Sequence, residues 1–328
     1  MQRCVKLADD ARKAYLASSQ GEEGGGEGKE AFVALSLGPF GSVPQPPQDY
    51  DGLYPPPFGP KAYSPGGTEN TRLFSPDSGV PNIKEQEEEA IEALAQFHLW
   101  RLRAVHSNPE TWAAIDFIAF ETTPHLRELR AIKLAMKMFE DDLGSSSSEG
   151  ALEGSLKGWW IGLVFPYGPE SAQWNQEERD HHTRNLLGLS SLPNGEAEIL
   201  NVLLDETLGA VPTGLGLNCT RIDHYGSILS SLTLKFTPKK RTPKTPIPLT
   251  LVVCPNGGRL GDTSNGIAHH WVDDGKPRPD GRTITWEEEV VEIVQKYRTD
   301  WKDVIVGGCC RVYPSQITKL REKVNQVL

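Results

Sequence analysis

Five cysteines occur among the 328 residues: Cys4, Cys219, Cys254, Cys309 and Cys310. Four of them follow short apolar runs that read as strands. GLGL precedes Asn218-Cys219-Thr220, LTLVV precedes Cys254-Pro255-Asn256, and VIV precedes Gly307-Gly308-Cys309-Cys310. Thiols gathered at strand ends suit zinc, which takes sulfur readily and keeps one of four positions open at catalytic sites. Cys219 with Cys309 and Cys310 supplies three ligands. Adjacent residues leaving a strand face one ion only where the backbone kinks, and Gly307-Gly308 offers the conformational freedom expected of such a kink. Thiolate ligands also suit a site that must bind another sulfur. One buried cysteine alone is more often a small core residue, but a GGCC run matched to another strand-end cysteine favours metal. A further apolar run, IDFIAF, ends in Glu121-Thr122-Thr123 and brings an acid to the same kind of position.

These residues need a scaffold, and the hydrophobic pattern describes one. Gln2 to Leu16 carries apolar residues at helical spacing, as do Glu85 to Val105, Pro124 to Phe139, Ala197 to Leu208, Trp286 to Tyr297 and Ser315 to Val327. Between them lie strand-like runs at Phe32–Leu37, Ile115–Phe120, Trp159–Phe165, Leu215–Leu217, Leu249–Val253 and Val304–Val306. The runs are continuously apolar rather than alternating, which predicts parallel strands buried on both faces. In a β/α barrel the active site lies at the C-terminal strand ends, where the cysteines and Glu121 fall. The chain reads as a single α/β domain over 1–328. Two surface insertions are expected, a Pro/Gly/Tyr-rich stretch near 41–81 and an acidic, Ser-rich break near 140–156.

Composition narrows the function classes. A formal net charge of -10 disfavours a nucleic-acid binder. A mean hydropathy of -0.43 and no long apolar run argue against a membrane partner. The first residues lack the apolar core of a signal peptide, so a reducing cytoplasm is expected. An odd cysteine count does not read as a disulfide framework, and adjacent Cys309-Cys310 is a poor pair geometrically. The His181-His182 and His269-His270 pairs lie in polar segments and read as solvated.

Several of these runs resemble one family in order along the chain. Gly307-Gly308-Cys309-Cys310-Arg311, then Tyr313-Pro314 and Ile317, resembles the C-terminal signature of homocysteine S-methyltransferases. Gly216-Leu217-Asn218-Cys219-Thr220 resembles the family's first zinc-ligand motif, and Phe120-Glu121-Thr122-Thr123-Pro124 its acidic motif. Ser36 to Gly41, followed by Tyr50-Asp51-Gly52-Leu53-Tyr54, resembles the region after its third strand, and Pro255-Asn256-Gly257-Gly258 the segment after its seventh.

The resemblance implies a (β/α)8 TIM-type barrel. It implies Zn2+ held by Cys219, Cys309 and Cys310, with the fourth position taking the thiol of homocysteine. It gives Glu121 the amino group of homocysteine and places Asn218 among the substrate-binding residues. The bound thiolate would attack the methyl group of a sulfonium donor, S-methylmethionine or S-adenosylmethionine, to give methionine. Tyr50 and Tyr54 can offer aromatic faces to that cation, or simply pack the long loop. Cys254 sits where the family has an aromatic and is not expected to be a ligand. The family's first two strands have no counterpart before Phe32, so the six strands correspond to its third to eighth. On that reading the zinc triad is complete, while the homocysteine pocket lacks part of its wall unless a longer chain or a partner supplies it. Two functions follow: a methyltransferase, or a non-catalytic zinc-binding or interaction protein on the same fold.

Overall fold

The apolar runs form the sheet that their continuity predicts. A computed structural model describes residues 2–18, 30–65, 70–72, 74, 82–145, 156–165, 199–235, 247–257, 259–260, 271–272 and 284–327. Its principal strands are β1 (Ala34–Leu37), β2 (Phe117–Thr123), β3 (Gly158–Leu163), β4 (Gly214–Arg221), β5 (Ile247–Asn256) and β8 (Trp301–Val306). They form one six-stranded sheet in the order β1-β2-β3-β4-β5-β8. Every neighbouring pair is parallel. Two short strands, β6 (Arg259–Leu260) and β7 (Trp271–Val272), form a separate antiparallel pair. Because each strand pairs with the next, all six C-terminal ends share one edge. Glu121, Cys219, Asn256 and the Gly307-Gly308 turn meet there.

Helices cover the sheet. They are α1 (Gln2–Ser18), α2 (Ile83–His106), α3 (Pro109–Ala113), α4 (Leu126–Ser145), α5 (Ile199–Leu204), α6 (Ile222–Lys235), α7 (Trp286–Tyr297) and α8 (Pro314–Val327). In α2 the buried residues Ala90, Ile91, Leu94, Ala95, His98, Leu99, Leu102 and Val105 recur at three- and four-residue steps, one apolar stripe. That stripe packs along α4. Helix α7 starts on a capping box: Thr285 and Glu288 satisfy each other's backbone N–H groups. No described helix is long and apolar enough to cross a membrane.

Three features depart from the sequence expectations. The first part of the 41–81 stretch packs inward: Gln48 and Leu53 are buried, and Tyr54 is fully so. Helix α4 continues to Ser145, into the break expected near 140–156. Helices α3 and α6 were not expected; α6 starts directly after β4 and carries Gly226 and several serines, which weaken its helical signal. Both histidine pairs lie outside the described residues.

One buried charge ties helix to helix. Lys133 of α4 donates from Nζ to the backbone oxygens of Val202, Leu203 and Asp205 at 2.7, 2.6 and 2.9 Å. These are carbonyls that the end of α5 leaves unpaired, where a cation is also favoured by the helix dipole. Burial pulls the Lys133 pKa down to about 8. Lys133→Met keeps the apolar stem and orphans three carbonyls, so it should lower the unfolding free energy by about 2–3 kcal/mol, measured by urea denaturation.

Candidate metal centre and substrate site

Strands β4 and β8 are separated by β5, so a straight ladder would hold their terminal side chains apart. The backbone bends to bring them together. Register breaks between Asn218 and Arg221 on β4, where Cys219 has a φ of 49°. Beyond β8 the chain folds over the end of β5: Gly307 N–H donates to Val253 O, Cys309 N–H to Pro255 O, and Gly257 N–H to Cys310 O. Gly307 and Gly308 do not act as the sequence reading expected, since neither has a left-handed φ among the described glycines. They are needed for space. A Cβ on Gly308 would sit 2.5 Å from the Val312 side chain, and one on Gly307 would sit 3.2 Å from Cys254 Sγ. The left-handed residue of this turn is Arg311, with a φ of 61°.

The result is a triangle of sulfurs. Cys219 Sγ lies 3.1 Å from Cys309 Sγ and 3.8 Å from Cys310 Sγ, and the last two are 3.9 Å apart. Tetrahedral zinc with Zn–S bonds of about 2.3 Å holds its sulfurs about 3.8 Å apart. Two edges match that value and the third needs to open slightly, so the donor set fits a metal ion. Cys219 is buried, whereas Cys309 and Cys310 are half-exposed, leaving one side of the triangle accessible. The thiols cannot all ionise side by side. Hydrogen bonds from Cys219 and Cys309 hold Cys310 down at about 3. The same contacts push Cys219 up, and Cys309 also lies above its ordinary value. A divalent cation removes that conflict, because it stabilises every thiolate at once.

Two expected residues stand beside the triangle. Glu121 is half-buried, and burial followed by the nearby Cys309 sulfur raises its pKa. Ser36 Oγ donates to its Oε2 at 3.1 Å. Tyr50 lies close enough to Cys310 and Cys219 for its phenol to interact with both sulfurs. Burial, then the negative charge of those sulfurs, keeps its proton on. Cys254 lies outside the sulfur triangle; burial and then Glu121 push its thiol up to about 12. Asn218 directs its amide to Thr122 of β2, accepting from the Thr122 N–H and donating to Thr122 Oγ1.

Tyr54 plays a different part from Tyr50. Its hydroxyl donates to Glu128 Oε2 at 2.6 Å, and its ring packs edge-on to Phe40 and His125. Glu128 Oε1 also accepts from the Phe40 N–H at 2.6 Å and from His98 Nε2 at 3.1 Å. Because Arg101 donates to His98 Nδ1, the proton of a neutral His98 belongs on Nε2. Burial keeps His98 neutral despite the adjacent carboxylate. Burial alone would raise Glu128, but the bonds from His98 and Tyr54 outweigh it and hold its pKa at about 2. One buried carboxylate thus pins both ends of the segment from Phe40 to Tyr54, which delivers Tyr50 to the thiols. Sequence reading missed Glu128, His98 and Arg101, which look like ordinary polar residues of helices. Thr122 and Ser36 stood inside quoted motifs, yet nothing in the sequence gave them a role.

Several known proteins are similar to this chain. The family model described as homocysteine S-methyltransferase matches residues 1–324. The chain is 25% identical over 331 residues to betaine-homocysteine S-methyltransferase of Drosophila melanogaster, covering 99% of this chain and 70% of that protein. It is 26% identical over 212 residues to homocysteine S-methyltransferase 1 of Saccharomyces cerevisiae, covering 65% of this chain and 48% of that protein. Metallated and oxidised forms of the homocysteine methyltransferase MmuM from Escherichia coli superpose with TM-scores of 0.51 and 0.52. Each is 18% identical and aligns with 98% of this chain and 69% of its own, a likeness of fold.

The Glu128 anchor has a pH signature. Its folded pKa of about 2 lies below its ordinary value of 4.5, so its contribution to stability is present above 4.5 and disappears as pH falls towards 2. The difference in unfolding free energy between the native chain and Glu128→Gln, followed by denaturant titration, should therefore shrink across that window.

Proposed function

The chain belongs to the homocysteine S-methyltransferase family, and we propose that it transfers a methyl group from a sulfonium donor to the thiol of homocysteine, giving methionine. The single observation that carries this reading is the triangle of Cys219, Cys309 and Cys310 with Glu121 beside it. Zinc fits this all-sulfur donor set better than magnesium or calcium, which prefer oxygen. Bound there, zinc would supply one chemistry, holding the substrate thiol as a thiolate at neutral pH. We read the six-stranded sheet as part of a (β/α)8 barrel wall, with the site at the C-terminal strand ends.

The protein's own residues then divide the work. Glu121, a half-buried carboxylate with no cationic partner among the described residues, takes the ammonium of homocysteine and sets the direction in which its thiol points. Tyr50 stands beside the same sulfurs, and Asn218, its amide held by Thr122, backs the strand end that carries Glu121. Tyr50 offers its ring edge and face to the onium group, and Tyr54 contributes through the segment it anchors. In the transfer step the homocysteine sulfur forms a bond to the methyl carbon. The bond from that carbon to the donor's sulfonium sulfur breaks, and the electron pair leaves with the donor, now a neutral thioether. No external oxidant or reductant is involved. Three free thiols in one site also require a reducing compartment, which supports a cytoplasmic setting.

Incubating the purified chain and zinc with homocysteine and, in turn, S-methylmethionine, S-adenosylmethionine and betaine tests this reading. Methionine is expected with a sulfonium donor and should vanish in Cys309→Ser together with about one equivalent of bound zinc. Methionine formation from betaine alone would overturn the donor, and zinc retained by Cys309→Ser would overturn the ligand set. Glu121→Gln should raise the KM for homocysteine by about tenfold or more, the worth of one charge-assisted contact.

A further inference from the structure

The side chains of Asn218, Thr122 and Cys219 carry hydrogen atoms whose positions follow from one another. A backbone N–H can only donate, and the Thr122 N–H points at one end of the Asn218 amide at 2.9 Å. That end is therefore oxygen. The other end, Nδ2, is a donor, and it lies 2.9 Å from Thr122 Oγ1. The hydroxyl oxygen thus accepts from the amide, and its own proton is directed elsewhere. Cys219 Sγ lies 3.7 Å from that oxygen, within the longer reach of a sulfur acceptor. Asn218 is 3% exposed, so water does not compete for the amide.

From this relay we propose that Thr122 is a positioning residue for the metal centre, donating a hydrogen bond to the Cys219 sulfur that is oriented by Asn218. The assignment rests on the reading of Cys219 as a metal ligand. Its physical content is charge. A hydrogen bond to a thiolate withdraws electron density from sulfur, so the ligand gives less of it to a bound cation, and the bond also fixes the direction of the sulfur lone pairs. The surrounding backbone is shaped to make this contact. Thr122 has a φ of 64° and Cys219 a φ of 49°, and β2 and β4 both lose register at this level. The strand between them yields space: a Cβ on Gly162 of β3 would lie 2.6 Å from Asn218 Oδ1. A threonine in left-handed backbone is an outlier for a β-branched residue, and here the contacts that hold it are the ones that aim its hydroxyl.

Cobalt(II) in place of zinc gives a readout independent of activity, because its thiolate-to-metal charge-transfer bands report the charge on sulfur. Thr122→Ser keeps the hydroxyl and should keep the native band. Thr122→Val removes the donor and should move the band to longer wavelength. Asn218→Asp leaves Thr122 intact but replaces the amide donor with a carboxylate oxygen, which captures the Thr122 proton and turns it away from sulfur. It should move the band in the same direction, and the double variant should move it no further than either single one. A native band position in both Thr122→Val and Asn218→Asp, with cobalt bound, would overturn the relay. Failure of the native chain to give a thiolate–cobalt band at all would instead overturn the ligand reading on which it rests.

Discussion

A non-glycine residue at positive φ costs about 1–3 kcal/mol, and two of them sit on β2 and β4 at the same height in this sheet. Thr122 is the more demanding of the two, because a β-branched side chain crowds its own backbone there. The distortion is held by the Asn218 amide, which bonds both the N–H and the hydroxyl of Thr122 across the gap left by Gly162. Relaxing it would return both strands to regular pairing. The Cys219 sulfur would then leave the other two, and Glu121, one residue before Thr122, would turn with β2. The cluster of sulfurs and acid depends on this local refusal of β geometry.

Electrostatics supplies the second constraint. The site concentrates groups that repel when ionised: three thiols and one carboxylate, all partly withdrawn from water. Such a set is comfortable only around cations, and the chemistry proposed brings them: a metal ion, the substrate ammonium and the sulfonium of the donor. The buried Glu128 shows the opposite solution a short distance away. It is surrounded by donors from Phe40, Tyr54 and His98, remains ionised, and serves as a rigid anchor. The two carboxylates differ in what their neighbours provide: Glu121 has Ser36 and a nearby sulfur, whereas Glu128 has a full set of hydrogen-bond donors.

The principal strands and most helices were legible in the sequence because their signals are local. Continuous apolar runs gave the parallel strands, and the capped stretch from Trp286 to Tyr297 was found with its observed limits. The cysteine set was legible for the same reason, since each cysteine follows a strand-like run. Helix α6 was not, because glycine and serine dilute its periodicity. The inward packing of Gln48, Leu53 and Tyr54 was hidden too, because a Pro-rich segment with polar residues reads as surface unless its buried partner, Glu128, is known.

By itself, then, the sequence determined the α/β class, the order of the six principal strands, and which thiols could share one ion. Tertiary structure decided how they meet. It moved the need for left-handed backbone from Gly307 and Gly308 to Cys219 and Arg311, and left the glycines a role in close packing. It also separated the two tyrosines, sending Tyr50 to the sulfurs and Tyr54 to Glu128. The physical reason is range. Periodicity and turn chemistry act over a few residues, whereas the contacts that shape this site join Thr122 to Asn218 across 96 positions and Cys219 to Cys309 across 90. Only the folded sheet brings such pairs within hydrogen-bonding distance.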